Sequence, residues 1–315
     1  MSLLAIHSAI DFGGFRNIIR IQMTSAAWEG LLAYLVPDSF HEALTLLRDR
    51  RPEVVAGCTD VLPARRQGQC SGDTLDVSGL PALRGITHGP QGWRIGAATT
   101  WAEIAAAALP PAFAALQEAA VEVGAVQIQN AGTIAGNICN ASPAADGVPP
   151  LMALQAEVEL ASHAGTRRLP LEEFITGVRR TTRAADELVV ALHLPQPLSG
   201  EGGAFVKLGT RSSLVISIAM VAAVVRMDQD RIAEARVAVG ACSPVARRLP
   251  EWEAALANRR LDELAGLRPD PGHLSVLSPI DDIRATAAYR IEAVRELCRR
   301  ALVRAANAAG GADGR

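Results

Sequence analysis

Residues 130–154, NAGTIAGNICNASPAADGVPPLMAL, constrain this chain more than any other stretch. They set small residues, turn formers and short polar side chains between two apolar helical segments. Gly132, Ala135 and Gly136 let the backbone approach a neighbour closely, and Thr133, Asn137, Asn140 and Ser142 offer hydrogen bonds at the same place. Asp146 stands at the mouth of a short helix. Backbone N–H groups in such a loop can converge on an anion with no side chains in the way, which suits a ligand rich in phosphate oxygens. The same composition also serves an ordinary glycine-containing surface loop. This stretch alone leaves both readings open.

A chain of 315 residues is long enough for two domains with sizeable cores. With 49% apolar and 20% charged residues it has the profile of a soluble globular protein. A formal net charge of -2 gives no electrostatic reason to expect nucleic acid or an anionic membrane as partner. No apolar run approaches the roughly 20 residues of a membrane span, so no membrane insertion is expected. Residues 1–27 carry no basic region ahead of their apolar residues and no clear cleavage site, and read as an N-terminal extension. A cytoplasmic protein is the expectation. The five cysteines, Cys58, Cys70, Cys139, Cys242 and Cys298, are scattered without a CxxC pair. Free thiols are therefore expected, with no zinc or iron–sulfur site in this chain. The six histidines are equally dispersed and read as structural or exposed.

In chain order, residues 39–50 place Phe40, Ala43, Leu44 and Leu47 on one helical face behind a candidate N-cap, Ser39, and Arg51 and Pro52 end the pattern. A β-prone run at Val54, Val55 and Ala56 then meets Gly57, Cys58, Thr59 and Asp60. Strand, glycine turn and capped short helix make a second candidate anion cradle. Between 74 and 99, Val77, Leu83, Ile86, Trp93 and Ile95 fit short strands, and alanine-rich helices follow at 100–108 and 112–123. A hairpin turning at Gly165, a short helix and a strand over 188–194 lead to 195–203, PQPLSGEGG, the best linker candidate. Residues 216–225 are apolar enough for a buried strand or a buried helix, which periodicity does not separate. Helices are predicted over 250–265 and 287–306, the second with Tyr289, Val294, Leu297 and Leu302 on its apolar face, and 307–315 reads as a disordered tail. The arginine pairs read as solvated faces, with docking an alternative for Arg179 or Arg180.

Together these pieces resemble the flavin-binding (medium) subunit of the molybdenum hydroxylases, the group of xanthine dehydrogenase and carbon monoxide dehydrogenase. A family signature of the form AGGTD is similar to Ala56-Gly57-Cys58-Thr59-Asp60. A second, TIGGN followed by ASPxxD, is similar to Thr133-Ile134-Ala135-Gly136-Asn137 and Ala141-Ser142-Pro143-Ala144-Ala145-Asp146. A lysine-bearing strand matches at Lys207, and the closing motif matches in Ser278, Pro279, Asp282, Arg284, Tyr289 and Arg290.

The resemblance implies an α+β chain with a PCMH-type FAD-binding fold, the vanillyl-alcohol-oxidase type, of two subdomains over 28–197, and a C-terminal α+β domain over 198–306. It implies non-covalent FAD whose pyrophosphate is wrapped by backbone N–H groups of Val54, Val55, Ala56, Gly57, Cys58, Thr59 and Asp60 and of Thr133, Ile134, Ala135, Gly136 and Asn137. Ser142 joins this site, Asp146 would bond the sugar or ribityl part, and Val189 and Lys207 would touch the flavin. It also implies electron transfer: a partner subunit with [2Fe–2S] clusters supplies electrons, a large subunit holds the molybdenum cofactor, and an external acceptor receives them. A dimer of heterotrimers is the expected assembly, with no catalytic residue and no metal in this chain. Three positions depart from the pattern. Cys58 replaces a glycine, Ala135 replaces another and is acceptable only at negative φ, and Gln129 stands where relatives often carry arginine. Two alternatives are a self-contained flavin oxidoreductase, tethered through Cys58 or Cys139, and a non-catalytic scaffold that has lost FAD.

Overall fold

The computed structural model describes residues 18–22, 31–66, 72–211 and 214–310; Cys70 and His7 lie outside them. Strand β1 (Ile18–Gln22) pairs antiparallel with β2 (Leu31–Leu35), so part of the expected N-terminal extension is a strand. Then come α1 (Phe40–Arg50), β3 (Glu53–Val55), α2 (Val61–Arg66) and β4 (Thr74–Asp76), with β4 between β2 and β3 and parallel to both. Helix α1 starts where Ser39 Oγ accepts the Glu42 N–H at 3.2 Å. It stops at Arg51, which turns left-handed (φ 48°) ahead of Pro52. Ala43, Leu44, Leu46 and Leu47 bury against Leu35 and Leu75, so the predicted apolar face is the packed one.

The second layer holds β5 (Ile86–Gly89), β6 (Gly92–Gly96) and five helices: α3 (Trp101–Ala106), α4 (Ala114–Glu122), α5 (Val126–Ala131), α6 (Ile134–Asn140) and α7 (Val148–Ala153). After them follow β7 (Glu157–Ser162), β8 (Gly165–Pro170), α8 (Leu171–Phe174), a small ribbon of β9 (Ile175–Gly177) and β10 (Arg180–Thr181), and β11 (Leu188–Leu194). The antiparallel sheet runs β5-β6-β11-β7-β8. Leu83 lies in a 3-10 turn rather than in a strand. Thr100 starts α3 with a capping box: its Oγ1 accepts the Glu103 N–H at 3.2 Å while Glu103 accepts the Thr100 N–H at 2.7 Å.

The third sheet is a meander of β12 (Glu201–Leu208), β13 (Ala219–Asp228), β14 (Arg231–Gly240) and β15 (Arg247–Arg248), followed by α9 (Pro250–Leu256) and α10 (Ala287–Gly310). Strand β13 explains why the sequence left its conformation open. Met220, Ala222 and Val224 pack into the core shared with α4 and α7, whereas Ala219, Val221, Ala223 and Val225 pack under α10. Both faces are buried, so no apolar–polar alternation marks the strand. The glycines of the expected linker serve the same sandwich. Gly202 and Gly203 lie inside β12, where a Cβ would strike the backbone of α10 on one face and of Ala112 on the other. A buried arginine ties the layers, with Arg236 Nη2 2.7 Å from Glu201 Oε1 and Nε 2.9 Å from the Ala153 carbonyl.

Three expectations about the C-terminal part change. The helix predicted over 250–265 breaks after Leu256, because Asn258 turns left-handed (φ 63°) and donates to Ile232 O, and a 3-10 segment, Leu261–Gly266, replaces its second half. Tyr289 is 53% exposed, while Val294, Leu297 and Leu302 are buried as predicted. Helix α10 continues through Gly310 with Ala309 buried, so residues 307–310 are helix; 311–315 lie outside the described residues.

Candidate functional site

Strand β3 delivers residues 56–60 to a gap between the first two layers. Gly57 is obligatory there, since a Cβ would overlap the Ala131 carbonyl at the end of α5. Cys58 follows in the left-handed region at φ 56°, a conformation that costs a residue with a Cβ about 1 kcal/mol. Among the described residues, the N–H groups of Ala56, Gly57, Cys58, Thr59 and Asp60 make no hydrogen bond. They border a cavity of about 440 Å3, closed opposite by Thr133, Gly136 and Asn137 and flanked by Arg179 and Arg183. Residues 56–59 are half-buried and Asp60 is exposed, so these donors are open to the cavity, and five in succession suit an acceptor.

The second loop contributes differently from expectation. Ile134 N–H donates to Thr99 O (3.0 Å), Ala135 N–H to Ala97 O (3.2 Å), Gly136 N–H to Thr133 Oγ1 (3.1 Å) and Asn137 N–H to Thr133 O (3.1 Å). The start of α6 is docked on the segment after β6, so these four donors are spent inside the protein. Ile134 is fully buried and takes no part in the cavity wall. What the loop offers is close approach at Gly136, the Thr133 side and the Asn137 side chain, whose Oδ1 is buried with no hydrogen-bond partner. Ala135 lies within α6 and has no positive φ, which settles the condition that the sequence posed.

An apolar slot of about 100 Å3 opens from the same walls, lined further by Val77, Ala97, Ala98, Ala135, Leu188 and Val189. Val189 thus shares this slot with Val54 to Ala56 of the glycine loop. A third cavity of about 370 Å3 shares Arg179 with the first and contains Ser142, Ser217, Ser243 and the Asp282–Arg284–Arg290 cluster. Between the cavities Asp146 and Lys207 face each other: Nζ lies 2.6 Å from Oδ2, and Ser217 Oγ donates to Oδ1 at 2.6 Å. Burial raises the Asp146 carboxyl above the usual range, opposed by the Lys207 ammonium and the Ser217 hydroxyl. Lys207 also donates to Glu122 O at 3.2 Å. Both residues, expected to touch the cofactor, make these contacts with each other.

Sequence reasoning missed Arg183 and named Cys139 only as a candidate tether; both line the slot and the larger cavity. The signal available for Arg183 was its nearness to the pair Arg179-Arg180, which reads as a solvated face or a docking site. Cys139 is exposed where it lines the two cavities, and desolvation by the surrounding protein pushes its thiol up to about 11. Burial also raises the Cys58 thiol. Gln129 turns away, donating to Val121 O at 2.8 Å.

Residues 26–197 match the family described as the FAD binding domain in molybdopterin dehydrogenase. The chain belongs to that family. Residues 204–305 match the CO dehydrogenase flavoprotein C-terminal domain. The xanthine dehydrogenase FAD-binding subunit of Escherichia coli O157:H7 is 31% identical over 275 residues, covering 86% of this chain and 94% of that protein. The nicotine 6-hydroxylase medium subunit of Paenarthrobacter nicotinovorans is 31% identical over 280 residues, covering 87% and 97%. Among solved structures, a chain of carbon monoxide dehydrogenase from Hydrogenophaga pseudoflava superposes with a TM-score of 0.77 at 27% identity, covering 87% of this chain and 97% of that one.

The family's cofactor fits what the site presents. FAD carries a diphosphate for the five unpaired N–H groups of residues 56–60, and the orphaned Asn137 Oδ1 needs a donor of the kind that hydroxyl or ring N–H groups provide. This flavoprotein of the molybdopterin dehydrogenase family is an oxidoreductase subunit of mixed helix and sheet, with the two-subdomain FAD-binding part and the C-terminal domain that its motifs implied. No helix among the described residues is long and apolar enough to cross a membrane.

Proposed function

We propose that this chain is the FAD-carrying electron-transfer subunit of a multi-subunit molybdenum hydroxylase. The observation that carries the reading is the row of unpaired N–H groups from Ala56 to Asp60 facing the cavity against Thr133, Gly136 and Asn137. In this reading those donors, with Cys58 in its left-handed turn aiming its own, hold the diphosphate non-covalently. Val189 and Ala135 wall the apolar slot. Asp146 and Lys207 hold the C-terminal sheet against the FAD-binding layers, beside the site, and Ser142 sits at the third cavity. Bound FAD supplies one- and two-electron redox chemistry, which lets such a subunit join single-electron donors to a two-electron acceptor. The electron donors are the [2Fe–2S] clusters of a small partner subunit, the molybdenum cofactor belongs to a large one, and an external acceptor receives the electrons.

The medium-subunit names of the relatives support this assembly over a self-contained oxidoreductase. So does the third cavity: Asp282 is bonded to Arg284 and Arg290, at 2.8 and 2.7 Å, and is not poised to exchange protons with a substrate. A tether through Cys58 or Cys139 is disfavoured by their raised thiols, since the thiolate is the nucleophile. The test is direct. The full chain, expressed with its two partner chains, is expected to co-purify with them and to carry one FAD, all of it released to the supernatant by acid precipitation. A chain that stays colourless after FAD is added overturns the reading, and flavin left in the pellet would mean a tether.

A further inference from the structure

Arg183 stands at the junction of the apolar slot and the larger cavity and lines both. It is half-buried between β10 and β11, and only its Nη1 is anchored, donating to Glu187 O at 2.7 Å and to Ala184 O at 3.2 Å. Among the described residues its Nε and Nη2 make no hydrogen bond, and no carboxylate forms an ion pair with it. Its charge reaches Cys139 across the cavity wall, where it opposes the upward push of burial on the thiol. Glu187, four residues further on, is instead taken by Arg167 in a two-pronged pair at 2.6 and 2.8 Å. A guanidinium fixed at one nitrogen, with two donor groups free toward a cavity, is arranged for an anion. Opposite it run the unpaired N–H groups of residues 56–60, and position 129 supplies no cation because Gln129 caps the end of α4.

We infer that Arg183 is the cation that holds the FAD diphosphate in this chain, in place of a positive charge at position 129. The inference rests on the FAD site proposed above. Backbone donors supply geometry there, and Arg183 supplies the net charge that a dianionic linkage needs when it leaves water.

The full chain, stripped of flavin and titrated with FAD while flavin fluorescence is followed, tests the assignment. R183Q is expected to bind FAD about ten- to hundredfold more weakly, the effect of losing one charged donor. It should also flatten the decline of affinity with added salt. R183K keeps the charge without the Nη1 brace and should recover most of the loss, and the flavin-free melting temperature should be the same for all three proteins. Unchanged FAD affinity in R183Q overturns the assignment. So does R183K falling as far as R183Q, or a lowered flavin-free melting temperature, because either makes Arg183 only the brace of the turn at 184–187. Wild-type chain that binds no FAD overturns the site reading itself, so the two failures are distinct.

Discussion

Lys207 of the C-terminal sheet and Asp146 of the FAD-binding layers form a buried ion pair across the interface between them, Nζ to Oδ2 2.6 Å, with side chains only 7% and 10% exposed. Removing one partner of such a pair leaves an uncompensated buried charge, at about 3 kcal/mol or more. K207M should therefore lower stability by about that amount at neutral pH, read from chemical denaturation. The sign with pH is set by Asp146. Burial already raises its carboxyl, and without the ammonium it rises further, so the folded state binds a proton at higher pH than the unfolded chain does. The K207M deficit should shrink as pH falls and Asp146 becomes neutral, and K207M/D146N should recover part of it at pH 7. A deficit independent of pH would show that the pair carries no charge.

Gly57 and Cys58 should respond oppositely to substitution. G57A puts a methyl group onto the Ala131 carbonyl, which is backbone and cannot rotate away. Overpacking of this kind costs about 1–3 kcal/mol and here displaces the donor row, so flavin content should fall severely. C58G removes a left-handed strain of about 1 kcal/mol and restores the freedom of glycine to the unfolded chain. The two effects nearly cancel, and C58G should keep both its melting temperature and its FAD. A C58G chain that loses FAD would give the thiol a binding role that the loop geometry does not require.

Cys139 offers a reading of cavity occupancy. With its thiol near 11, the thiolate fraction at pH 8 is only about one in a thousand, far below that of an ordinary exposed cysteine. Iodoacetamide should label it slowly at pH 8 and progressively faster up to pH 11. FAD should slow labelling further, because Cys139 is part of the cavity wall that Val54, Thr133 and Arg183 also form. Mass spectrometry of the peptide bearing Cys139 measures both effects. Equal labelling with and without FAD would mean that the cofactor does not cover this wall.

The legible parts of this molecule were those whose signal is local. Ser39 capped its helix, Gly165 turned its hairpin, and the two glycine loops lay in the order that the cavity requires. The illegible parts depended on partners distant in sequence. Nothing in 133–137 says that Thr99 and Ala97 take the N–H groups of Ile134 and Ala135, and with those contacts the long row of unpaired N–H groups is the one at 56–60. Arg183 resembles its solvated neighbours until β11 folds it against Val54 and Cys139. Asn258 breaks a helical pattern because Ile232 claims its N–H.

The closing motif makes the last prediction. Asp282 accepts from Arg284 N at 2.8 Å, Ala285 N at 3.2 Å and the buried Arg290 guanidinium at 2.7 Å, and Arg290 itself reaches the Ile218 and Ala241 carbonyls. The Arg284 backbone N–H and these other donors hold the Asp282 carboxyl down at about 2. A depressed carboxylate stabilises the fold above its unfolded value near 4, and that contribution is lost as pH falls toward 2. D282N should thus lower stability at pH 7 by about 1 kcal/mol, after allowance for the partial exposure of the pair. Between pH 4 and pH 2 the wild-type and D282N melting curves should converge, because the wild-type carboxylate is being protonated while the amide of the variant does not titrate. Curves that stay separated to pH 2 would show that Asp282 acts by packing and not by charge.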